Sequence, residues 1–507
     1  MFKNNKVRIC IRLKQKLYIR LNPSIRAMLF NSITYFFFIT IVFTLYWSLL
    51  RKNFRWQNLF LLIASYCFYG WWDVRFLILI FISSSVDFFL GRAIFRQTDK
   101  NKKLNLLRLC MLINLGMLGF FKYYNFFVDS FASLSANLGL QPNLKTLHII
   151  LPIGISFYTF QSLSYSIDIY RGKIQPTNNF ISFMAFVSFF PQLVAGPIQR
   201  ASDLLPQFLK ARTFKSDRLI SGFRYILYGL FKKMVIADRL AYFVDHIYDS
   251  PERFDGMVLL VATFMFGFQI YCDFSGYSDI AIGSARLLGF DLTQNFKTPY
   301  LSSSFKDFWR RWHISLSTWF RDYVYIPLGG NQVTQSRWTF NILLTFTLSG
   351  LWHGASLTFI IWGFLHGFFL VSEHYLSKVV TLPKSFSWIG FITTFVMVNL
   401  AWVFFRAHTF DQSLYIFSSF KNLNFDFVPK ALALFAENNK FREFLISIVA
   451  SFPLFIILEI LINQNDFNSL ILKRGIILRW SFYLILSFSI LIFGVLNAAP
   501  QFIYFQF

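Results

Sequence analysis

The chain has 507 residues, of which 55% are hydrophobic and 21% aromatic, while only 14% are charged. Soluble domains carry about a quarter charged residues, so a water-soluble globular protein is excluded. The formal net charge of +25 is not a nucleic-acid signature, because the basic residues sit in short loops between apolar stretches, as the positive-inside bias requires.

In chain order, residues 1–27 form a basic extension, with eight basic residues and no acid within 1–26. Apolar spans then recur at 28–50, 57–70, 74–90, 104–121, 147–170, 180–196, 219–244, 257–290, 339–352, 355–378, 387–405, 443–463 and 477–498. They predict an all-α polytopic membrane protein with about eleven to thirteen transmembrane or re-entrant helices. No internal repeat or soluble domain interrupts them. Residues 28–507 therefore read as one membrane domain with its motif-bearing core at about 150–378. The polar gap from Thr409 to Glu443 reads as a surface loop with short amphipathic helices.

The segment "GRAIFRQTDKNKKLNLLR" sets Arg92, Arg96, Lys100, Lys102, Lys103 and Arg108 against Asp99 alone, and is expected to face the cytoplasm. Residues 57–90 read as a hairpin turning at "GWWD", which puts Arg51, Lys52 and Arg55 on the same side and Met28 on the other. The basic residues before Met28 ought to stay inside, so the two counts conflict. Translation from Met28 removes the conflict; a translocated tail, or a first segment that does not fully cross, also does. Cys10, Cys67, Cys110 and Cys272 have no paired or metal-type spacing, and three of them lie in apolar runs as reduced packing residues.

In "FFPQLVAGPIQR", residues 189–200, Pro191, Gly196 and Pro197 interrupt an apolar run and predict either a broken or re-entrant helix or a simple turn. "FQIYCDFSGYSDIAIGSARLLGF", residues 268–290, places Asp273 and Asp279 in an apolar span. Asp273 is expected to orient a histidine or to pair with an arginine, catalytically or structurally.

The densest polar motif is "NFKTPYLSSSFKDFWRRWHISLSTWFRDYVYIPLGGN", residues 295–331. Wound as one helix from Phe305, it brings Lys306, Arg310, His313, Ser317 and Arg321 within about 80° of one another. Arg311 falls on the opposite side. The stripe suits a guide for an anionic, phosphate-bearing substrate, and equally an interfacial helix whose arginines snorkel to headgroups.

"TLSGLWHGASLTFIIWGFLHG", residues 347–367, holds His353 and His366 in an apolar run. Gly350 and Gly354 permit close approach beside His353, and Trp352 gives a wall. A buried neutral imidazole suits general-base work on a hydroxyl, and also suits a hydrogen-bonded core histidine. His366 is expected to be structural. No HExxH, paired CxxC or histidine cluster points to a metal, and no Walker loop, dinucleotide fingerprint or GxSxG elbow is present.

"CDFSGYSDIAIG", "FWRRWHISLSTWFRDYVYIPLGGN", "SGLWHGAS" and "AWVFFRAHTFDQS", in that order, resemble the membrane-bound O-acyltransferase family, most closely its bacterial alginate O-acetylase group, with teichoic-acid D-alanyl transferases more distant. The likeness runs from Met28 to the terminal "FIYFQF". It implies helices around a trans-bilayer tunnel in a bacterial inner membrane, with His353 and His313 as catalytic residues. It implies no bound cofactor. Acetyl-CoA is the expected donor, a carrier-protein thioester the alternative, and an extracytoplasmic acyltransferase and a surface polysaccharide are the expected partners. Lys306, Trp309, Arg310, Arg311, Ser317, Asp273 and Trp352 are the expected substrate-binding residues. A polysaccharide or lipid-linked sugar transporter, and a scaffold of an export complex, are the competing functional classes.

Overall fold

The computed structural model describes residues 28–50, 53–139, 149–194, 196–379, 387–423, 439–465, 467–496 and 502–503. The basic extension 1–27, Cys10, Arg51, Lys52 and the middle of the polar gap after Thr409 lie outside the described residues.

Among the described residues the regular structure is helical throughout. Seven stretches are long and apolar enough to cross a bilayer: Phe54–Arg96, Lys100–Ala136, Gly256–Leu287, Leu357–Val379, Ser387–Arg406, Asn439–Gln464 and Ile476–Phe493. The chain is a multi-pass membrane protein. The first of these stretches folds back on itself at Asp73, whose carboxylate accepts from the Arg75 backbone N–H. Both arms meet the helix Phe180–Ser188: Asn58 Nδ2 donates to Ser182 Oγ at 2.8 Å, and the Phe88 ring lies 5.1 Å from Phe180. The "GWWD" hairpin is present.

The other expected spans are shorter, broken or, like Gln335–His353, less apolar. Residues 28–50 give the 17-residue helix Ile33–Leu49. Pro152 and Gly154, the latter at φ 77°, delay the next helix to Ile155–Tyr170. The 180–196 run breaks into Phe180–Ser188 and Phe190–Leu193, with Pro191 in the first turn of the second, so the interrupted helix expected there is found. The 219–244 run is Ser216–Leu230, a π-helical segment Phe231–Ala237, and Asp238–Tyr248.

Gly256–Leu287 is the central element. Its 32 residues extend about 48 Å, more than the hydrocarbon core of a bilayer. It runs against Ser216–Leu230 with small residues at the seam: a Cβ at Gly229 would stand 2.6 Å from Gly276 O, and one at Gly222 would stand 2.9 Å from Gly283 O. Lipid gives no hydrophobic drive between two apolar helices, so close backbone approach supplies the packing energy.

Buried charges staple the same seam. The π-helical segment turns both Lys232 and Lys233 toward the central helix. Lys232 pairs with Asp279 at 2.6 Å, while Lys233 bridges Asp273 at 2.6 Å and Asp238 at 2.8 Å. Glu459 accepts from Tyr228 and Tyr271 at 2.9 and 2.6 Å. The expected arginine or histidine partner of Asp273 is thus replaced by a lysine, because the π turn brings Lys233 to it. Cys67, Cys110 and Cys272 are free thiols.

Candidate active site

The expected single helix through residues 305–323 is broken at its middle. Phe305–Arg311 ends at Trp312, His313 takes the left-handed backbone conformation at φ 41°, ψ 55°, and Ile314–Phe320 starts anew. Left-handed backbone in a non-glycine residue is strained and persists only where its surroundings hold it. Asn295 does so. Its backbone O accepts from Ile314 N at 2.9 Å, and its Oδ1 accepts from Ser315 N at 3.3 Å and Ser315 Oγ at 2.9 Å.

The same Oδ1 lies 3.1 Å from His313 Nδ1. An atom that accepts from a backbone N–H is an oxygen, so Nδ1 is the donor and carries the hydrogen. Nε2 then keeps the basic lone pair.

The break separates the predicted stripe. Lys306 and Arg310 are exposed, whereas His313 is fully buried. Among the described residues, neither Lys306 nor Arg310 forms an ion pair. Arg311 is held by Asp307 at 3.0 Å, Thr298 at 3.3 Å and Asn463. Ser317 donates to Trp312 O at 3.2 Å. Trp309 is buried, 5.0 Å from the His366 ring and 6.0 Å from Trp362.

His353 is the last residue of the helix Gln335–His353, and the chain turns extended at Gly354 before Leu357–Val379 begins. The two helices approach at Gly350 and Gly363, where a Cβ on Gly350 would overlap Phe359 O and stand 3.1 Å from Gly363 Cα. His353 is 3% exposed. Its ring contacts Trp352 at 4.9 Å, Trp362 at 5.0 Å and Phe405 at 5.5 Å. Trp352 is the expected wall; it stacks on Phe160 at 5.5 Å, which in turn stacks on Trp319 at 3.8 Å.

The fold brings His313, Trp352 and His353 together. The histidine rings are 6.4 Å apart, with Trp352 6.2 Å from His313. His353 lines a cavity of about 80 Å³ with Lys122, Pro152, Gly154, Phe157 and Trp352. Lys122 also lines a wider depression of about 520 Å³ with Asn125, Asp129 and Ala355. His366 stays outside the cavity, on Trp362 at 4.8 Å, among packed aromatic rings.

Asp273 enters the site indirectly. Its Oδ2 accepts from Ile503 N at 2.8 Å, and the neighbouring Phe502 ring lies 4.3 Å from Tyr277 and 5.8 Å from Phe274. Phe274 is 4.7 Å from His313, so Phe502 is one ring away from that imidazole.

Sequence inspection missed Asn295 and Lys122. The signal for Lys122 was a lone cation in the apolar run "LGFFKYYNFFV", residues 118–128. Asn295 opened a motif already singled out, and its role needed the break at His313 to become visible.

Two faces are distinguishable. At one, Arg200 pairs with Asp322 at 2.6 Å, Arg171 donates to Asp322 O at 3.0 Å, and Lys103 lies 5.5 Å from the Tyr170 ring. At the opposite end of the central helix, Arg406 pairs with Asp245 at 2.9 Å. The helix Lys100–Asn137 starts at the first face, and Lys122 lies about 33 Å along it. The His353 cavity therefore belongs to the far side.

The model of the membrane-bound O-acyltransferase family matches residues 170–410. A probable alginate O-acetylase of Pseudomonas aeruginosa is 44% identical over 384 residues, 75% of this chain and 72% of that protein. A peptidoglycan O-acetyltransferase of Helicobacter pylori is 38% identical over 434 residues, 78% of this chain and 80% of that protein. A teichoic acid D-alanyltransferase of Bacillus subtilis is 30% identical over 262 residues, 49% of this chain and 65% of that protein.

Proposed function

The chain belongs to the membrane-bound O-acyltransferase family, and from that premise we propose that it passes an acetyl group from cytosolic acetyl-CoA to a hydroxyl on the far face of a bacterial inner membrane. It is an O-acyltransferase. The destination in this proposal is a cell-surface polysaccharide of the alginate or peptidoglycan kind, reached through an extracytoplasmic acyltransferase partner. Support comes from relatives named for O-acetylation of alginate and peptidoglycan.

The observation that carries the chemistry is His353, a buried imidazole at a helix end on the wall of a cavity. A thioester is already activated, so no protein nucleophile is required. His353 takes the proton of the acceptor hydroxyl as its oxygen bonds to the acyl carbon. The carbon–sulfur bond breaks, and the thiolate leaves with that proton as a free thiol, so the exchange is proton-neutral. His313, its hydrogen fixed at Nδ1 by Asn295, offers Nε2 to orient the thioester or relay the proton. Lys306 and Arg310, both exposed, are suited to the donor's phosphates.

The test is transfer of labelled acetyl from acetyl-CoA, or from an acyl-carrier thioester, in membranes containing wild-type or His353→Ala protein. The wild type should form a base-labile ester, and the variant should lose about 10²- to 10⁴-fold in rate. Undiminished transfer by a correctly inserted His353→Ala protein would overturn the mechanism. Transfer from the carrier thioester alone would reassign the donor.

A further inference from the structure

The last carbonyls of an α-helix have no partner within the helix. In Gln335–His353 three of them in succession are taken by two adjacent side chains of another helix. Tyr123 Oη donates to Leu351 O at 2.8 Å, and Lys122 Nζ donates to Trp352 O and, at 3.1 Å, to His353 O. The Lys122 ammonium also sits 5.6 Å from the centroid of the Trp352 ring.

Among the described residues Lys122 has no carboxylate within ion-pair distance, although Asp129 lines the same outer depression. A cation inside a membrane body is costly, and ordinary packing would favour an apolar residue here. A cation at a helix C-terminus is attracted by the negative end of the helix dipole. The helix that Lys122 caps ends at His353, and both side chains line one cavity.

We propose that Lys122 is the positioning residue of the acyl-transfer site: its ammonium pins the carbonyls of Trp352 and His353 and thereby fixes the imidazole and its indole wall at the cavity. The inference rests on the acyl-transfer role of His353 proposed above. Lys122 gives up no proton and forms no bond to substrate. Its contribution is to hold the general base where the acceptor hydroxyl arrives, and a displacement of about 1 Å there is enough to cost about 10²-fold in rate.

The experiment compares wild type, Lys122→Met, Lys122→Gln, Lys122→Arg and His353→Ala as full-length chains in membranes, with rates expressed per folded protein. Lys122→Met should lower kcat by about 10²-fold while the donor KM stays within about twofold, because Lys306 and Arg310, the phosphate contacts proposed above, are not among the residues lining the cavity. Lys122→Arg, which can still donate to two carbonyls, should recover about tenfold of that loss. Lys122→Gln, with one neutral donor group, serves if the Met variant does not insert, and should also fall in kcat. A wild-type kcat in either neutral variant overturns the inference, as does a loss that vanishes once rates are expressed per folded protein. If His353→Ala is inactive while Lys122→Met is normal, only this inference fails. If His353→Ala is active, the acyl-transfer reading fails with it.

Discussion

The rings of His313 and His353 stand 6.4 Å apart, each in contact with Trp352, although 40 residues separate them in the chain. Each imidazole sits at a helix break. His313 occupies the left-handed residue between two short helices, and His353 ends a helix just before an extended glycine. Interrupted helices are tolerated at membrane depth where protein buries them or a cavity accepts them. Here the interruptions turn two side chains toward one place.

If the two histidines act on one reaction, their effects should not add. His313→Ala and His353→Ala should each lower acetyl transfer, and the double variant should be no slower than His353→Ala within about threefold. Steady-state rates for the four proteins decide this; full additivity would mean that the imidazoles serve separate steps.

Asn295 holds the left-handed turn through three hydrogen-bond contacts and also fixes the His313 tautomer. Asn295→Ala should destabilise the protein by about 1–3 kcal/mol, since buried donors of Ser315 lose their acceptor. The rate per folded molecule should fall as well, because His313 loses its fixed orientation. Thermal unfolding in detergent and the transfer assay read the two effects separately.

Gly350→Ala would push a methyl group into Phe359 O and against Gly363. The helices flanking His353 would have to separate, at a cost of about 1–3 kcal/mol. The thermal midpoint should drop and activity should fall with it. An unchanged midpoint would show that this seam is looser than described.

Asp273 and Lys233 are a buried pair, 4% and 1% exposed at their side chains. Asp273→Ala leaves Lys233 with Asp238 alone and unseats Ile503, so a loss of about 3–5 kcal/mol is expected. Because the defect is structural, Asp273→Ala and Lys233→Met together should be less destabilised than the sum of the two single changes. Chemical denaturation of all four proteins supplies the comparison.

Asp322 ties the connection after Phe320 to Arg200 and Arg171 outside the spans. Burial acts to raise its pKa, but the Arg321 hydrogen bond and the Arg200 charge outweigh burial and hold the carboxyl below its ordinary value. A carboxylate whose pKa is depressed by folding contributes stability above its unfolded pKa of about 4 and loses it as pH falls through the folded value. Asp322→Asn should therefore lower the thermal midpoint at neutral pH, and its deficit against wild type should shrink as pH falls below about 4. A deficit independent of pH would assign the effect to packing.

Composition and apolar periodicity by themselves determined that this chain crosses a membrane many times as helices, because backbone polar groups in lipid have no other way to be satisfied. Four ordered motifs also marked the family, and His353 and His313 with it. A uniform 3.6-residue winding could not show that the 305–323 run breaks at His313, since that break depends on Asn295, 18 residues away. Nor could it separate Lys306 and Arg310, which face out, from His313, which faces in. Lys233 as the partner of Asp273, and Lys122 as the cap on the His353 helix, were likewise decided by the tertiary structure. Periodicity is a property of one helix and its surroundings in general. A buried charge or an unpaired helix-end carbonyl is satisfied by whichever side chain another helix delivers, and only the packed chain specifies that neighbour.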